Sequence, residues 1–153
     1  MLNIVLQHTL DKHLAKHPDA KAFLAAYGQL CHAVDDLVDR DNPEIKDYKW
    51  LTVDAFNLAI DVYSSPFYHA NISMLYPLVK QIHRVWSDSL VWEKSSVTWQ
   101  REYADKLRCC GNEIAVAILE HLCHLPYEEL RRVSILIRED SWSRHHTAAG
   151  QPV

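Results

Sequence analysis

Apolar residues recur every three or four positions along this chain, and prolines and polar caps cut the repeat into segments. That period places a stripe of each segment on one side of an α-helix. About six helical segments are expected. The first runs approximately from Leu2 to Lys16. Pro18 suits the first turn of a second, since proline there gives up no needed N–H and presets φ, and this helix reaches Asp39 before Asp41, Asn42 and Pro43 end it. A charged, aromatic loop from Asp41 to Leu51 leads to Thr52 as the cap of a third helix ending near Ser64, where Ser65-Pro66 breaks the chain. Asn71 caps a fourth, with Pro77 in its first turns and Leu78, Ile82, Val85 and Trp86 on one buried face. Ser95 and Ser96 open the longest segment, extending to about Leu122. Pro126 opens a last helix that turns Leu130, Val133, Leu136 and Ile137 inward.

The predicted fold class is all-α, a single-domain helical bundle over residues 1–144, with residues 145–153 as a frayed C-terminal tail. A chain of 153 residues with 48% hydrophobic and 24% charged residues has enough material for one core. Only three glycines are present, too few for a turn-rich β architecture. The net charge of −4 offers no basic footprint for nucleic acid. No apolar run approaches the roughly 18 residues of a membrane span, and residues 1–17 do not read as a signal peptide, so a cytoplasmic protein is expected. Cys31, Cys109, Cys110 and Cys123 form no C-x-x-C pair and read as reduced, buried thiols. Five tryptophans, Trp50, Trp86, Trp92, Trp99 and Trp142, read most simply as core.

The second helix carries the most informative chemistry. At 100° per residue, Gly28, His32, Asp35, Asp36 and Asp39 share one sector, and Phe23, Tyr27, Leu30, Val34, Leu37 and Val38 cover the opposite side. An acidic face in water is the plain interpretation. Three carboxylates within five residues repel one another, however, and the negative end of the helix adds to the cost. A divalent cation resolves that conflict, and Mg²⁺ held by carboxylates commonly bridges to a diphosphate.

The stretch Tyr27-Gly-Gln-Leu-Cys31-His-Ala-Val34-Asp35-Asp36-Leu-Val-Asp39 resembles the first aspartate-rich helix of class I isoprenoid synthases, the squalene and phytoene synthase branch in particular. The resemblance implies Mg²⁺ binding by Asp35, Asp36 and Asp39, with a prenyl diphosphate held on the metal. It covers about thirteen residues. The chain is much shorter than a complete synthase, so the implied protein is a reduced relative of that fold.

A second polar element lies in the long segment, where Asn112 and Glu113 interrupt an otherwise apolar run from Cys109 to Leu119. Glu113 is therefore expected to be largely removed from water and to need a partner. Lys106, Arg84 or Arg108 would make an ordinary ion pair. Facing the acidic helix, Glu113 with Asn112, Glu102 or Asp105 would instead complete a metal site between helices. Arg84, Lys106, Arg108, Lys80 and Arg101, together with Asn112, are the candidate ligands for phosphate oxygens. Ten histidines include no E-x-x-H or H-E-x-x-H spacing.

Three readings follow, and the sequence leaves open whether the chain is an enzyme. The leading one is a Mg²⁺-dependent diphosphate-binding protein related to isoprenoid synthases. An all-α nucleoside triphosphate pyrophosphohydrolase is the second, since those proteins also use carboxylates on paired helices, loosely echoed by Asp35-Asp36-x-x-Asp39 and Glu102-x-x-Asp105. The third is a non-enzymatic helical interaction or adaptor protein. Each is compatible with a monomer or a homo-oligomer.

Overall fold

The structure of the chain, a computed structural model, describes residues 4–147, with side chains described from 8 to 138. Those residues form eight α-helices and one 3-10 turn, and no strand occurs among them. The all-α expectation is met. In chain order the helices are α1 (Ile4–His13), α2 (Pro18–Asp39), α3 (Tyr48–Ser64), α4 (Pro66–Ala70), α5 (Ile72–Glu93), α6 (Thr98–Arg108), α7 (Glu113–Cys123) and α8 (Tyr127–Thr147), with the 3-10 turn at Cys109–Asn112. They cluster into two compact units, residues 17–75 and residues 1–16 with 76–153. No helix is long and apolar enough to cross a membrane among the described residues.

In the 17–75 unit, α2 buries Ala20, Phe23, Tyr27, Leu30 and Ala33, the three- and four-residue spacing that its sequence displays. Phe23 is the hub. Its ring lies 5.2 Å from Phe67, 6.0 Å from Tyr27 and 6.2 Å from Tyr68, and Tyr63 meets Tyr68 edge-on at 5.3 Å. Such ring pairs add about 0.5–1.5 kcal/mol each beyond the area they bury. Phe67 and Tyr68 reach this cluster from α4, a short helix that Pro66 opens and the Ser65 hydroxyl caps by accepting the Tyr68 N–H at 3.2 Å. Helix α4 lies where the sequence pattern predicts only a break at Ser65-Pro66. Asn71, expected to cap the following helix with its side chain, instead donates its amide to the Phe67 carbonyl at 2.9 Å, while its own carbonyl accepts the N–H groups of Met74 and Leu75.

The cap of α3 is Asp47 rather than Thr52, and its carboxylate accepts the Lys49 N–H at 2.9 Å. The Thr52 hydroxyl already lies inside the helix and donates to the Tyr48 carbonyl. Between α2 and α3 the chain turns at Arg40, which adopts the left-handed region at φ 53° and donates its N–H to the Asp36 carbonyl. A non-glycine residue there costs roughly 1–2 kcal/mol. The Arg40 guanidinium lies 5.7 Å from the centre of the Tyr48 ring, an attraction that offsets part of that cost.

In the other unit, Leu14, Val79, Ile82, Ala104, Ile114, Ile118, Leu119, Val133 and Ile137 are buried. Ile82, Val133 and Ile137 were expected inward; Leu78, Val85, Trp86, Leu130 and Leu136 are half-buried. Buried Ser89 donates its hydroxyl to the Trp86 carbonyl at 2.5 Å. Glu129 of α8 meets Lys12 and His13 of α1 at 3.9 and 3.3 Å. The long segment expected from Ser95 to Leu122 is three elements, because Cys109-Cys110-Gly111-Asn112 tightens to a 3-10 turn. Glycine in an α-helix interior costs about 1 kcal/mol relative to alanine, so the break falls at a weak point. The predicted frayed tail lies largely outside the described residues: helix α8 continues through Thr147, and residues 148–153 are not described.

Candidate functional site

The acidic face of α2 lies opposite the Phe23–Tyr27–Leu30 stripe, as the helical period predicts. Cys31, His32 and Asp39 are exposed, Asp35 and Asp36 half-buried, and a Cβ added at Gly28 would meet no atom within 4 Å. Asp36 has a defined partner in the loop that follows. The Asn42 amide donates to both of its carboxylate oxygens, at 3.3 and 3.4 Å, while the Asn42 carbonyl oxygen accepts the Glu44 N–H at 3.1 Å. Asn42 thus ties the loop back to the last turn of α2. Although Cys31 as a residue is exposed, its sulfur is crowded by neighbours, and that local desolvation pushes the thiol up to about 11, against an opposing hydrogen bond with Tyr27 and with a further push from the Asp35 charge. A thiol so raised stays protonated at neutral pH and is a weak nucleophile and soft-metal ligand there. All four cysteines are free as expected, but none is fully buried: Cys31 is exposed and the other three are half-buried.

The remaining predicted site residues belong to the other unit. Glu113, expected in an apolar interior, keeps a side chain 43% exposed and binds Arg138, whose Nη2 and Nε donate to its Oε1 at 2.5 and 3.2 Å. The 3-10 turn corrects the expectation, since it makes Glu113 the first residue of α7 and leaves its carboxylate within reach of Arg138. Arg108 is engaged as well, its Nη2 donating to Glu93 at 2.8 Å with only 10% of the side chain exposed. Arg101 donates to the Ser95 carbonyl at 2.7 Å. Arg84, Lys80 and Lys106 are exposed, and Asn112 is half-buried in the turn. Neither unit gathers three or more His, Cys, Asp or Glu side chains in a cation-holding arrangement among the described residues. Arg138, Glu93 and Asn42 are the partners that sequence reasoning missed, and local spacing carries no signal for the first two, 25 and 15 residues from the groups they bind.

Helix α3 carries apolar residues on its outward side as well as its inward one. Its inward side buries Ala55 and Val62 and half-buries Leu51, Leu58 and Ala59. On the other side Trp50, Phe56 and Ile60 are 67%, 68% and 63% exposed, with Val53 exposed beside them. Trp50 was expected in the core and lies outside it, as does Trp99. A helix apolar on two opposite sides is normally covered on both. The signal was present in the sequence as a second stripe, Trp50, Val53, Asn57, Ile60 and Ser64, at alternating three- and four-residue spacing. Compared with protein-family models, curated proteins and solved structures, the chain finds no match, so its site is read from its own residues.

Proposed function

We propose that this protein is a helical interaction module that docks a partner on the outward side of α3. The observation that carries the reading is the exposure of Trp50, Val53, Phe56 and Ile60 along one side of a helix whose other side is already packed. Lone exposed apolar residues need no explanation, but a run of four along one helix marks a surface that association would cover. The carboxylates of the competing magnesium and diphosphate reading have protein partners at two of its four metal positions, Asn42 for Asp36 and Arg138 for Glu113. That competing reading also assigns Arg108 to phosphate, and Arg108 is paired with Glu93.

Two measurements test the docking reading. A photo-crosslinking amino acid placed at position 56 in cells is expected to yield a discrete adduct, which the same group at exposed Asp19 does not. Replacing Phe56 and Ile60 by serine is expected to change the unfolding free energy of the purified chain by no more than about 0.5 kcal/mol per site, as for an open surface. No adduct at 56, or identical adducts at both positions, defeats the reading. A stability loss of several kcal/mol in the serine pair does so too, because the side would then be packed within the chain itself.

A further inference from the structure

We infer that the partner seated on α3 is a basic amphipathic helix of another protein, an inference that rests on the docking reading of that helix. The geometry of the stripe selects a helix. Trp50, Val53, Asn57, Ile60 and Ser64 follow the three-four alternation of a seam between two helices crossing at about +20°, and the stripe is roughly 21 Å long at 1.5 Å per residue. An extended peptide would gain little, since α3 uses its own N–H and C=O groups internally and offers no sheet edge. Asn57 sits in the middle of the seam. In two-helix seams such a residue fixes register at some cost in affinity, so the partner is expected to present a polar side chain opposite it.

Charge selects the sign. Asp54 and Asp61 line one shoulder of the stripe, both exposed, and neither carboxylate makes a hydrogen bond or ion pair among the described residues. Residues 17–75 contain nine Asp or Glu against four Lys or Arg, a net of −5 in a chain whose total is −4. A second copy would bring together two units that each carry a net charge of −5. A basic helix gains attraction along that shoulder, and its encounter rate rises in the same field. An anionic membrane surface is repelled for the reason a second copy is.

The test uses the full chain and two labelled synthetic helices of about three heptads. They carry identical leucine seams, one with Lys and Arg on its flanks and the other with Glu. Fluorescence anisotropy is expected to show the basic helix binding at least ~10-fold more tightly at low salt, with the gap shrinking as salt screens the flanks. Phe56→Ser with Ile60→Ser, folded by circular dichroism, is expected to abolish binding, and Asp54→Lys with Asp61→Lys to reverse the preference. Binding of both helices with equal strength, lost in the serine pair, overturns the charge inference and leaves the docking reading standing. So does a dimer in sedimentation equilibrium that the serine pair dissolves, since a second copy would then be the occupant. Binding of the basic helix that survives the serine pair is attraction to the unit's charge alone and overturns the inference. If neither helix binds and the chain does not self-associate, the inference fails, and an adduct at position 56 in cells then decides whether the docking reading fails with it.

Discussion

Helices α2 and α3 pack against each other in the same unit, yet they are built on opposite plans. α2 has one apolar side, centred on Phe23, Tyr27 and Leu30, and places its aspartates on the other. α3 has two apolar sides and covers only the one bearing Ala55 and Val62. The first plan is nearly complete within the unit: Phe23, Tyr27 and Leu30 are buried, and of the apolar stripe only Val38, in the last turn, is exposed. The second leaves Trp50, Phe56 and Ile60 open to solvent, which is the side the docking proposal would cover. The charged residues are concentrated on α2, whereas the larger exposed apolar surface is on α3.

The widest expected gap between the two plans is in core energetics. Phe23→Ala removes the ring that joins Tyr27, Phe67 and Tyr68, and is expected to cost about 3–5 kcal/mol. Phe56→Ala, the same chemical change on the open side of α3, is expected to cost no more than about 0.5 kcal/mol. Guanidinium unfolding of the two variants measures the difference directly. Equal losses would erase the distinction between a finished helix and an unfinished one.

A smaller effect sharpens the contrast at the start of α3. With one side uncovered, α3 draws less stability from packing and depends more on its cap, Asp47, which holds the Lys49 N–H. Asp47→Ala is expected to cost about 1 kcal/mol, and Asp47→Asn or Asp47→Ser to restore most of it. Urea unfolding checks the order. If asparagine and serine fare no better than alanine, the carboxylate is not acting as a cap.

The legible parts of this fold were those marked by punctuation. Pro18 and the Asp41-Asn42-Pro43 run bracket α2, and Ser65-Pro66 ends α3 where expected, because proline and short polar side chains act on the local backbone whatever the tertiary context. The break at 109–112 was hidden because Cys109-Cys110 continues the apolar pattern across it. Asp47 was hidden among several acids in one loop, any of which can cap. Glu113 was misjudged for a different reason. Its neighbours in sequence are apolar, but its environment is set by the 3-10 turn and by Arg138, and neither is visible at helical spacing. The acidic face of α2 is legible as a face; the engagement of Asp36 depends on Asn42, across a turn whose left-handed residue is Arg40 rather than glycine.

The smallest expected effect is the response of that acidic face to magnesium. Any ligand that binds only the folded state raises stability by mass action, about 2.7 kcal/mol at a concentration 100 times its dissociation constant. A dedicated site would therefore be obvious at millimolar Mg²⁺ in thermal unfolding. On α2 a cation would have to compete with the Asn42 amide for the Asp36 oxygens, and freeing them would also loosen the Asn42 contact with the Glu44 N–H. Within the same unit no further His, Cys, Asp or Glu joins these aspartates to complete a cation-holding set among the described residues. The expected result is a rise of a few tenths of a kcal/mol at most, equal for Mg²⁺ and Mn²⁺, and little changed by inorganic diphosphate or a nucleoside triphosphate. Substituting Asp35, Asp36 and Asp39 by asparagine should leave even that small response in place, because it comes from general screening of a unit with net charge −5. A rise of 2 kcal/mol or more that the triple variant loses would return the acidic face to the centre of the protein's function, and would make α2 rather than α3 the helix left unfinished.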